Sequence, residues 1–136
     1  MHKASIKYRV PYADTDQMGV VYYGNYLRFF EMVRNEYFRD LGVLYSELER
    51  EGYMLPVVEA HVDYKLPALY DDELTISVQM AHFKGCRIRM ENEVHNQAGK
   101  LLCKGYTTHC FICKMKRKPI AAPKSLIKIL TDKGII

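Results

Sequence analysis

One segment restricts the possible folds of this chain more than any other, because residues 26–41 are apolar around most of a helical circumference. Apolar side chains recur there at helical spacing, and others widen the stripe: Phe30, Val33, Tyr37 and Leu41, with Leu27, Phe29 and Phe38. A helix on a protein surface carries a narrower apolar stripe than this. We therefore expect one long helix over residues 26–41 that the rest of the chain surrounds.

Most of the remaining sequence alternates between apolar and polar residues, which is the pattern of half-buried strands. The alternation predicts a first strand over residues 5–12 and four later strands over residues 57–64, 74–80, 86–94 and 101–113. Short polar breaks between these later strands favour antiparallel pairing.

Two shorter helices are expected outside this pattern. Gly42 is suited to end the long helix, and Ser46 followed by Glu49 has the spacing of a capping box. This spacing predicts a second helix that ends near Gly52. Pro123 is suited to begin a C-terminal helix with a short apolar face, formed by Leu126, Ile127 and Leu130.

The order of these elements predicts a single α+β domain over residues 1–136. A curved antiparallel sheet of about five strands would wrap around the long central helix, and a short C-terminal helix would follow. A chain of 136 residues can bury such a core without disulfide support. The sheet leaves edge strands unpaired, and a second copy would satisfy their backbone groups, so we expect at least a homodimer.

The chain carries no signal for a membrane or for export. No apolar run approaches the roughly 20 residues that cross a bilayer, and the first residues lead directly into the strand pattern. We therefore expect a soluble protein of the cytoplasm, without a membrane span. Its four cysteines would stay reduced there.

Two further features suggest other functions. Cys110 and Cys113 have CxxC spacing, but residues three apart on a strand face opposite ways and no second CxxC completes a zinc site. The basic run 114–118 could attract phosphates or keep an edge solvated, while the net charge of +4 is small and no nucleic-acid recognition motif accompanies it. We expect no metal site and no nucleic-acid partner.

The junction between the first strand and the long helix is the strongest candidate site. Asp14 and Asp16 flank one residue there, and Gly19 permits a conformation or a close approach that a side chain would block. Backbone N–H groups at the start of a helix can stabilise developing negative charge. A carboxylate beside such a helix start suits acyl transfer, although an ordinary turn or helix cap would also explain the aspartates.

Three motifs give this chain a resemblance to a known family. They are Tyr12-x-Asp14-Thr15-Asp16-x-x-Gly19-Val20-Val21-Tyr22-x-x-x-Tyr26, then Pro67-Ala68-x-x-Asp71-Asp72, and finally Lys116-x-Lys118-Pro119-Ile120 with Pro123. With them the chain resembles the hotdog-fold acyl-CoA thioesterases of the 4-hydroxybenzoyl-CoA thioesterase family, and is similar to those found with Tol-Pal genes. The resemblance covers nearly the whole chain. It implies hydrolysis of an acyl-CoA to free acid and CoA thiol, with no cofactor besides coenzyme A itself, in a homodimer that assembles to a homotetramer.

The same resemblance implies roles for two residues. The second aspartate of the Asp-Thr-Asp stretch, Asp16, would be the catalytic carboxylate, and the backbone N–H of Tyr23 would hold the thioester oxygen. Many Tol-Pal members have histidine at the position of Tyr23, whereas the pair Tyr22-Tyr23 resembles the Trp-Tyr of the hydroxybenzoyl type. Because of this difference, the motif does not specify which acyl group the substrate carries. Asp16 could attack directly to give an anhydride or could deprotonate a water, and both routes remain open.

Substrate contacts are expected from nine residues: Gly19, Val20, Tyr22, Tyr26, Glu59, His61, Lys84, Arg87 and Arg89. The tyrosines would line an acyl pocket, although aromatics on a buried helix are often plain core. Glu59 and His61 could approach the site or form a solvated face, and the basic residues could bind CoA phosphates or pair across strands. A second hypothesis is a non-catalytic protein that binds acyl-CoA or acyl carrier protein.

Overall fold

The structure is a computed structural model and describes residues 2–136. In chain order the elements are β1 (Lys3–Arg9), a 3-10 turn (Tyr12–Asp14), α1 (Asn25–Asp40), α2 (Tyr45–Arg50), β2 (Tyr53–Met54), β3 (Val57–Tyr64), β4 (Glu73–Lys84), β5 (Arg87–His95), β6 (Leu101–Cys110), β7 (Ile112–Cys113), β8 (Lys118–Pro119) and α3 (Lys124–Asp132). The main sheet has five antiparallel strands in the order β1-β4-β5-β6-β3. The α+β architecture expected from the sequence is confirmed.

The long helix α1 packs on this sheet and forms the centre of the core. Most of its apolar residues are almost fully buried, whereas Met32 is partly buried and Leu27 is 43% exposed. The buried ones include Phe29, Phe30, Val33, Tyr37 and Phe38. Gly105 of β6 permits the close approach, because a Cβ there would lie 2.4 Å from the His61 carbonyl oxygen and 2.9 Å from the Phe30 ring. The helix begins and ends one residue earlier than predicted, and Gly42 follows it with a φ of +82°.

Strand ends differ from the predictions at three places, the first being β4, which continues four residues beyond its predicted end, to Lys84. β1 ends at Arg9, because the chain turns into the 3-10 segment that contains Tyr12, and Tyr12 is 78% exposed rather than half-buried. The last predicted strand is interrupted at Phe111, whose N–H donates a 2.7 Å hydrogen bond to the Cys86 carbonyl oxygen. Residues 112–113 therefore join a separate small sheet of order β2-β7-β8, which the sequence did not predict.

The predicted capping box of the second helix is wrong. α2 begins at Tyr45 after Leu44, so Ser46 lies inside the helix and no side chain caps its start. The C-terminal helix does begin after Pro123, and it buries Leu126 and Leu130. Over residues 2–136, none of the helices has both the length and the apolar character that a bilayer crossing requires.

β3 lies at the edge of the main sheet and pairs with β6 on one side only. Seven of its eight residues are exposed, and the valines Val57 and Val58 are 48% and 49% exposed. Among the described residues, no strand covers its other side. A long edge strand with exposed apolar residues is a template for pairing with another chain.

Candidate active site

Asp14 anchors the loop that joins β1 to α1. Its buried carboxylate accepts a hydrogen bond from the Tyr8 hydroxyl and lies 2.6 Å from Nη2 of Arg28 on α1. Its carbonyl oxygen accepts 2.9 Å hydrogen bonds from the Tyr22 N–H and from Nδ2 of Asn25. Partial burial, together with the bond to Asp14, raises the pKa of Tyr8. These contacts support an orienting role for Asp14 in the loop.

Asp16 occupies the first position of a tight turn. The Gly19 N–H donates to the Asp16 carbonyl oxygen at 3.0 Å, and the Asp16 N–H donates to the Val20 carbonyl oxygen at 2.9 Å. Gly19 has a φ of +78°, and a Cβ added there would meet open space, so the turn needs glycine for its backbone conformation and not for a close approach. The Met18 N–H donates a 2.8 Å hydrogen bond to Oδ1 of Asp16, which fixes the direction of the carboxylate. Within residues 2–136, Oδ2 accepts no hydrogen bond.

The segment that contains the Pro67-Ala68 motif holds this loop from the other side. The Val21 N–H donates a 2.8 Å hydrogen bond to the Ala68 carbonyl oxygen, and Val20 forms a bridge with Leu69. The carboxylate of Asp72 in turn accepts from the Leu69 N–H at 2.8 Å. The loop is therefore fixed between α1 and the segment before β4.

The backbone at the start of α1 presents free donors. In the part of the chain that the structure describes, the N–H groups of Tyr23 and Gly24 donate to no acceptor, as is usual for the first residues of a helix without a cap. The Tyr23 carbonyl oxygen accepts a 2.9 Å hydrogen bond from the Tyr64 hydroxyl at the end of β3. This bond fixes the peptide group that follows Tyr23 and links it to the edge strand.

Asp16 and Tyr23 line the same open groove, which has a volume of about 300 Å³. Val20 and Tyr26 also line it, so four residues predicted for the site come together here. Tyr26 is only 3% exposed, and burial raises its pKa to about 12. It therefore belongs to both the core and the groove wall. Tyr22 is 47% exposed and packs on the Tyr23 ring with 4.5 Å between ring centroids.

One wall of this groove was not predicted from the sequence, and it is formed by Tyr64, Lys65, Leu66 and Pro67. Tyr64 is in edge-to-face contact with Tyr26, with 5.3 Å between ring centroids. The only sequence signal for this wall is that Tyr64 ends an alternating strand directly before the Pro67-Ala68 motif.

The other predicted contact residues lie elsewhere in the chain. Glu59 and His61 point to the sheet face away from α1, where His61 stacks on Tyr106 with 5.3 Å between ring centroids. Glu59 accepts a 3.3 Å hydrogen bond from the Thr108 hydroxyl. Within one chain the structure does not bring these two residues to the groove, and their substrate contact stays a prediction.

The predicted phosphate contacts lie toward the far end of the sheet. Lys84 and Arg87 face each other at the β4–β5 turn, and the Arg89 guanidinium lies 3.6 Å from the centre of the Tyr106 ring. Arg87 pairs with Cys110 whereas Tyr64 pairs with Cys103. The separation along β6 is therefore about 23 Å, at roughly 3.3 Å per residue. Within one chain these cations are remote from Asp16, and their role also stays a prediction.

No three histidine, cysteine or acidic side chains converge as metal ligands anywhere in residues 2–136. Cys110 has Cys86, rather than Cys113, as its sulfur neighbour. Although Cys110 and Cys113 have CxxC spacing, the fold therefore does not make their thiols neighbours.

A five-stranded antiparallel sheet packed on one long helix, with a carboxylate loop at the start of that helix, defines a hotdog-fold protein of the thioesterase class. The chain belongs to the thioesterase-like superfamily, whose family model matches residues 10–130. It is 35% identical to the acyl-CoA thioesterase YbgC of Haemophilus influenzae over 90% of both chains. It is 32% identical to the acyl-CoA thioester hydrolase YbgC of Escherichia coli over 88% of this chain and 89% of that one.

A solved structure agrees with these relatives. The DHNA-CoA thioesterase of Staphylococcus aureus superposes with a TM-score of 0.87 at 29% identity, over 100% of this chain and 97% of that one. The likeness therefore extends over the whole fold.

Proposed function

We propose that this protein is an acyl-CoA thioesterase that hydrolyses a thioester to a free acid and CoA thiol. One observation carries the proposal: a single groove is lined by Asp16, whose Oδ2 accepts no hydrogen bond within residues 2–136, and by Tyr23, whose N–H is unpartnered there. A carboxylate and a fixed donor are the two groups that thioester hydrolysis needs. The names of the YbgC relatives support the same reaction. Coenzyme A enters as part of the substrate and leaves with the product.

In the proposed reaction the thioester carbonyl binds with its oxygen at the Tyr23 N–H. Asp16 then takes a proton from a water molecule, whose oxygen attacks the carbonyl carbon, or Asp16 attacks the carbon itself to give an anhydride that water hydrolyses. In both routes the carbonyl oxygen becomes anionic, and the Tyr23 donor stabilises it by about 2.7–4 kcal/mol, as single oxyanion-hole donors do elsewhere. The C–S bond then breaks, and the thiolate leaves and takes up a proton.

The groove also indicates which acyl groups are suitable. Aromatic and aliphatic side chains form most of its walls, among them Val20, Tyr23, Tyr26, Tyr64 and Leu66. We therefore propose an uncharged acyl group. Because one relative is named as a DHNA-CoA thioesterase, the CoA thioesters tested should include aromatic acyl groups. Acyl carrier protein is the alternative carrier of the same thioester.

We further propose that the working unit is a homodimer formed through β3, which could assemble to a homotetramer. Antiparallel pairing of β3 with its copy would place the Val57 end of one subunit beside the Tyr64 end of the other. Arg87 of the partner subunit would then approach the groove that contains Asp16, because Arg87 lies at the Val57 end of the sheet. This arrangement would allow Lys84, Arg87 and Arg89 to bind CoA phosphates across the interface. A cytoplasmic location stays a prediction.

The test is thiol release from a panel of short-chain, long-chain, benzoyl and phenylacetyl CoA thioesters. We expect steady turnover by the wild type and a loss of at least about 100-fold in kcat for Asp16→Asn, the lower range for a general base. The amide oxygen of asparagine can still accept a hydrogen bond from the Met18 N–H, so we expect the turn to be retained. Asp132→Asn, at an exposed position of α3, is the matched control and should keep full activity.

Three results would contradict the proposal in different ways. Tight acyl-CoA binding in calorimetry without any thiol release would identify a non-catalytic binder. Turnover by Asp16→Asn at the wild-type rate would reject Asp16 as the catalytic carboxylate. A monomer in light scattering, with full activity, would reject the dimer and the phosphate contacts that depend on it.

A further inference from the structure

A second cluster of reactive side chains lies at the end of the sheet opposite to the groove. Cys110 is the last residue of β6, and its Sγ lies 3.2 Å from the Sγ of Cys86 in the turn between β4 and β5. Both residues are free thiols. The other two cysteines, Cys103 and Cys113, have no thiol within hydrogen-bonding distance in the described chain.

Backbone hydrogen bonds fix both sides of this thiol contact. The Phe111 N–H donates to the Cys86 carbonyl oxygen at 2.7 Å, and the Cys110 N–H donates to the Pro56 carbonyl oxygen at 3.2 Å. Arg87, the residue after Cys86, is paired in register with Cys110. These bonds hold the two segments side by side, so the two sulfurs, 3.2 Å apart, need to approach by only about 1 Å to reach the S–S bond length of about 2.05 Å.

We propose that Cys86 and Cys110 form a reversible dithiol–disulfide pair, which a hydroperoxide oxidises. The Cys86 sulfur attacks the peroxide O–O bond, which gives a sulfenic acid and one water. The Cys110 sulfur then attacks the Cys86 sulfur, so that the S–S bond forms and the hydroxyl group leaves with the Cys110 proton as a second water. The two thiols lose two electrons and two protons, and one hydrogen peroxide is reduced to two waters.

The surroundings assign the order of these two steps. Cys86 is partly exposed and can meet the oxidant, whereas Cys110 is only 4% exposed. Burial, followed by the neighbouring Cys86 thiol, raises the pKa of the Cys110 thiol, while the charge of Arg87 acts in the opposite direction. Cys86 is therefore the sulfur that is oxidised first, and Cys110 resolves the sulfenic acid.

The disulfide would connect residues 24 positions apart in the sequence. It would join the β4–β5 turn to the end of β6 and thereby restrict the unfolded chain. A loop of this size raises Tm by on the order of 10 °C when its cross-link is unstrained. A thiol-based reductant would reverse the change by exchange.

The experiment treats the full-length protein with hydrogen peroxide and counts free thiols after denaturation. We expect the four thiols of the wild type to fall to two, with a linked Cys86–Cys110 peptide in the digest and a higher Tm that dithiothreitol reverses. Cys113→Ser is the matched control, because it removes a partly exposed thiol without a sulfur neighbour, and it should still lose two thiols. Cys86→Ser and Cys86→Ala should form no such link and show no rise in Tm.

Linked peptides that contain Cys103 or Cys113, or an oxidised wild type that retains all four thiols, would overturn the proposal. Peptide mapping of the wild type decides it even if a cysteine variant fails to fold. The readouts are thiol number, peptide mass and Tm, so the result is independent of the proposed thioesterase activity.

Discussion

The hydroxyl of Tyr64 donates a 2.9 Å hydrogen bond to the carbonyl oxygen of Tyr23. The two residues are 41 positions apart, and the bond ties the start of α1 to the end of the edge strand β3. The peptide group after Tyr23 adjoins the proposed oxyanion donor. In the proposed dimer through β3, this hydrogen bond would connect the subunit interface to the start of α1.

Removal of this hydroxyl is the most direct test of that link. For Tyr64→Phe we expect kcat to fall about five- to tenfold with KM little changed, because a bond of about 1 kcal/mol that orients the donor is lost while the ring stays in place. Thiol-release kinetics would measure the change. Tyr70→Phe is the control, since Tyr70 is 56% exposed and its hydroxyl bonds to no described residue. Equal kcat values for both variants would contradict the orienting role.

The Asp14–Arg28 pair should stabilise the fold more than a surface pair does. For Asp14→Ala we expect a loss of about 2 kcal/mol in the free energy of unfolding, because Tyr8 and Arg28 lose a buried acceptor. Arg28 is 43% exposed, so solvent screening keeps the loss below that of a fully buried pair. Glu73→Ala, which breaks the exposed pair with Arg9, should cost less than about 1 kcal/mol. Urea unfolding of the two variants compares them, and similar losses would reject the distinction.

The cost of a substitution at Gly19 should depend on how readily the new residue adopts a positive φ, and not on the size of its side chain. We expect Gly19→Ala to lower the free energy of unfolding by about 1–2 kcal/mol and to reduce kcat, because its φ of +78° is unfavourable for a residue with a Cβ. Gly19→Asn should cost less, although its side chain is larger, since asparagine adopts positive φ more readily. Urea unfolding and thiol release would measure both effects. A more damaging asparagine variant would show that space, rather than conformation, restricts this position.

The free energy of unfolding should decrease as the pH is lowered, because His109 titrates. Burial, followed by the charge of Arg34, lowers the pKa of His109 from 6.5 to about 4, and its Nε2 lies 2.8 Å from the Thr107 hydroxyl oxygen. Between these two pH values the unfolded chain binds a proton that the folded chain does not, so the folded state loses stability as the pH falls from 6.5 to about 4. The full contribution is about 3 kcal/mol.

Urea unfolding at several pH values would measure this slope. His109→Gln lacks the titrating ring, and we expect its stability to depend less on pH within the same window, whatever its stability at neutral pH. A variant with the slope of the wild type would show that other groups cause the acid sensitivity.

The sequence predicted best what depends on local periodicity. The helix Asn25–Asp40 was predicted to within one residue because its apolar side chains repeat along one continuous segment. The helix start at Tyr45 was not, since the Ser46–Glu49 spacing is also compatible with two residues inside the helix. The break at Phe111 was missed for a related reason: Phe111 is apolar and fully buried, so the alternating pattern continues through a residue that belongs to neither sheet.

Within the site, the sequence could indicate the loop but not what surrounds it. Asp16, Gly19 and Tyr23 belong to one short motif, so their proximity follows from the chain itself. Tyr64 contributes through a contact with a residue 41 positions away, and nothing in its alternating strand distinguishes it from its neighbours. Arg89 shows the reverse case, because its position over Tyr106 gives it a local partner that the sequence pattern does not reveal.

The bare edge of β3 has a consequence for a newly made chain. While this strand is unpaired, its N–H and C=O groups and half-exposed valines can pair with any extended polypeptide nearby, including another unfolded copy. Rapid pairing of two folded copies through this edge would protect it from aggregation. A higher protein concentration would therefore increase the yield of native protein on refolding, until aggregation of unfolded chains becomes faster than pairing.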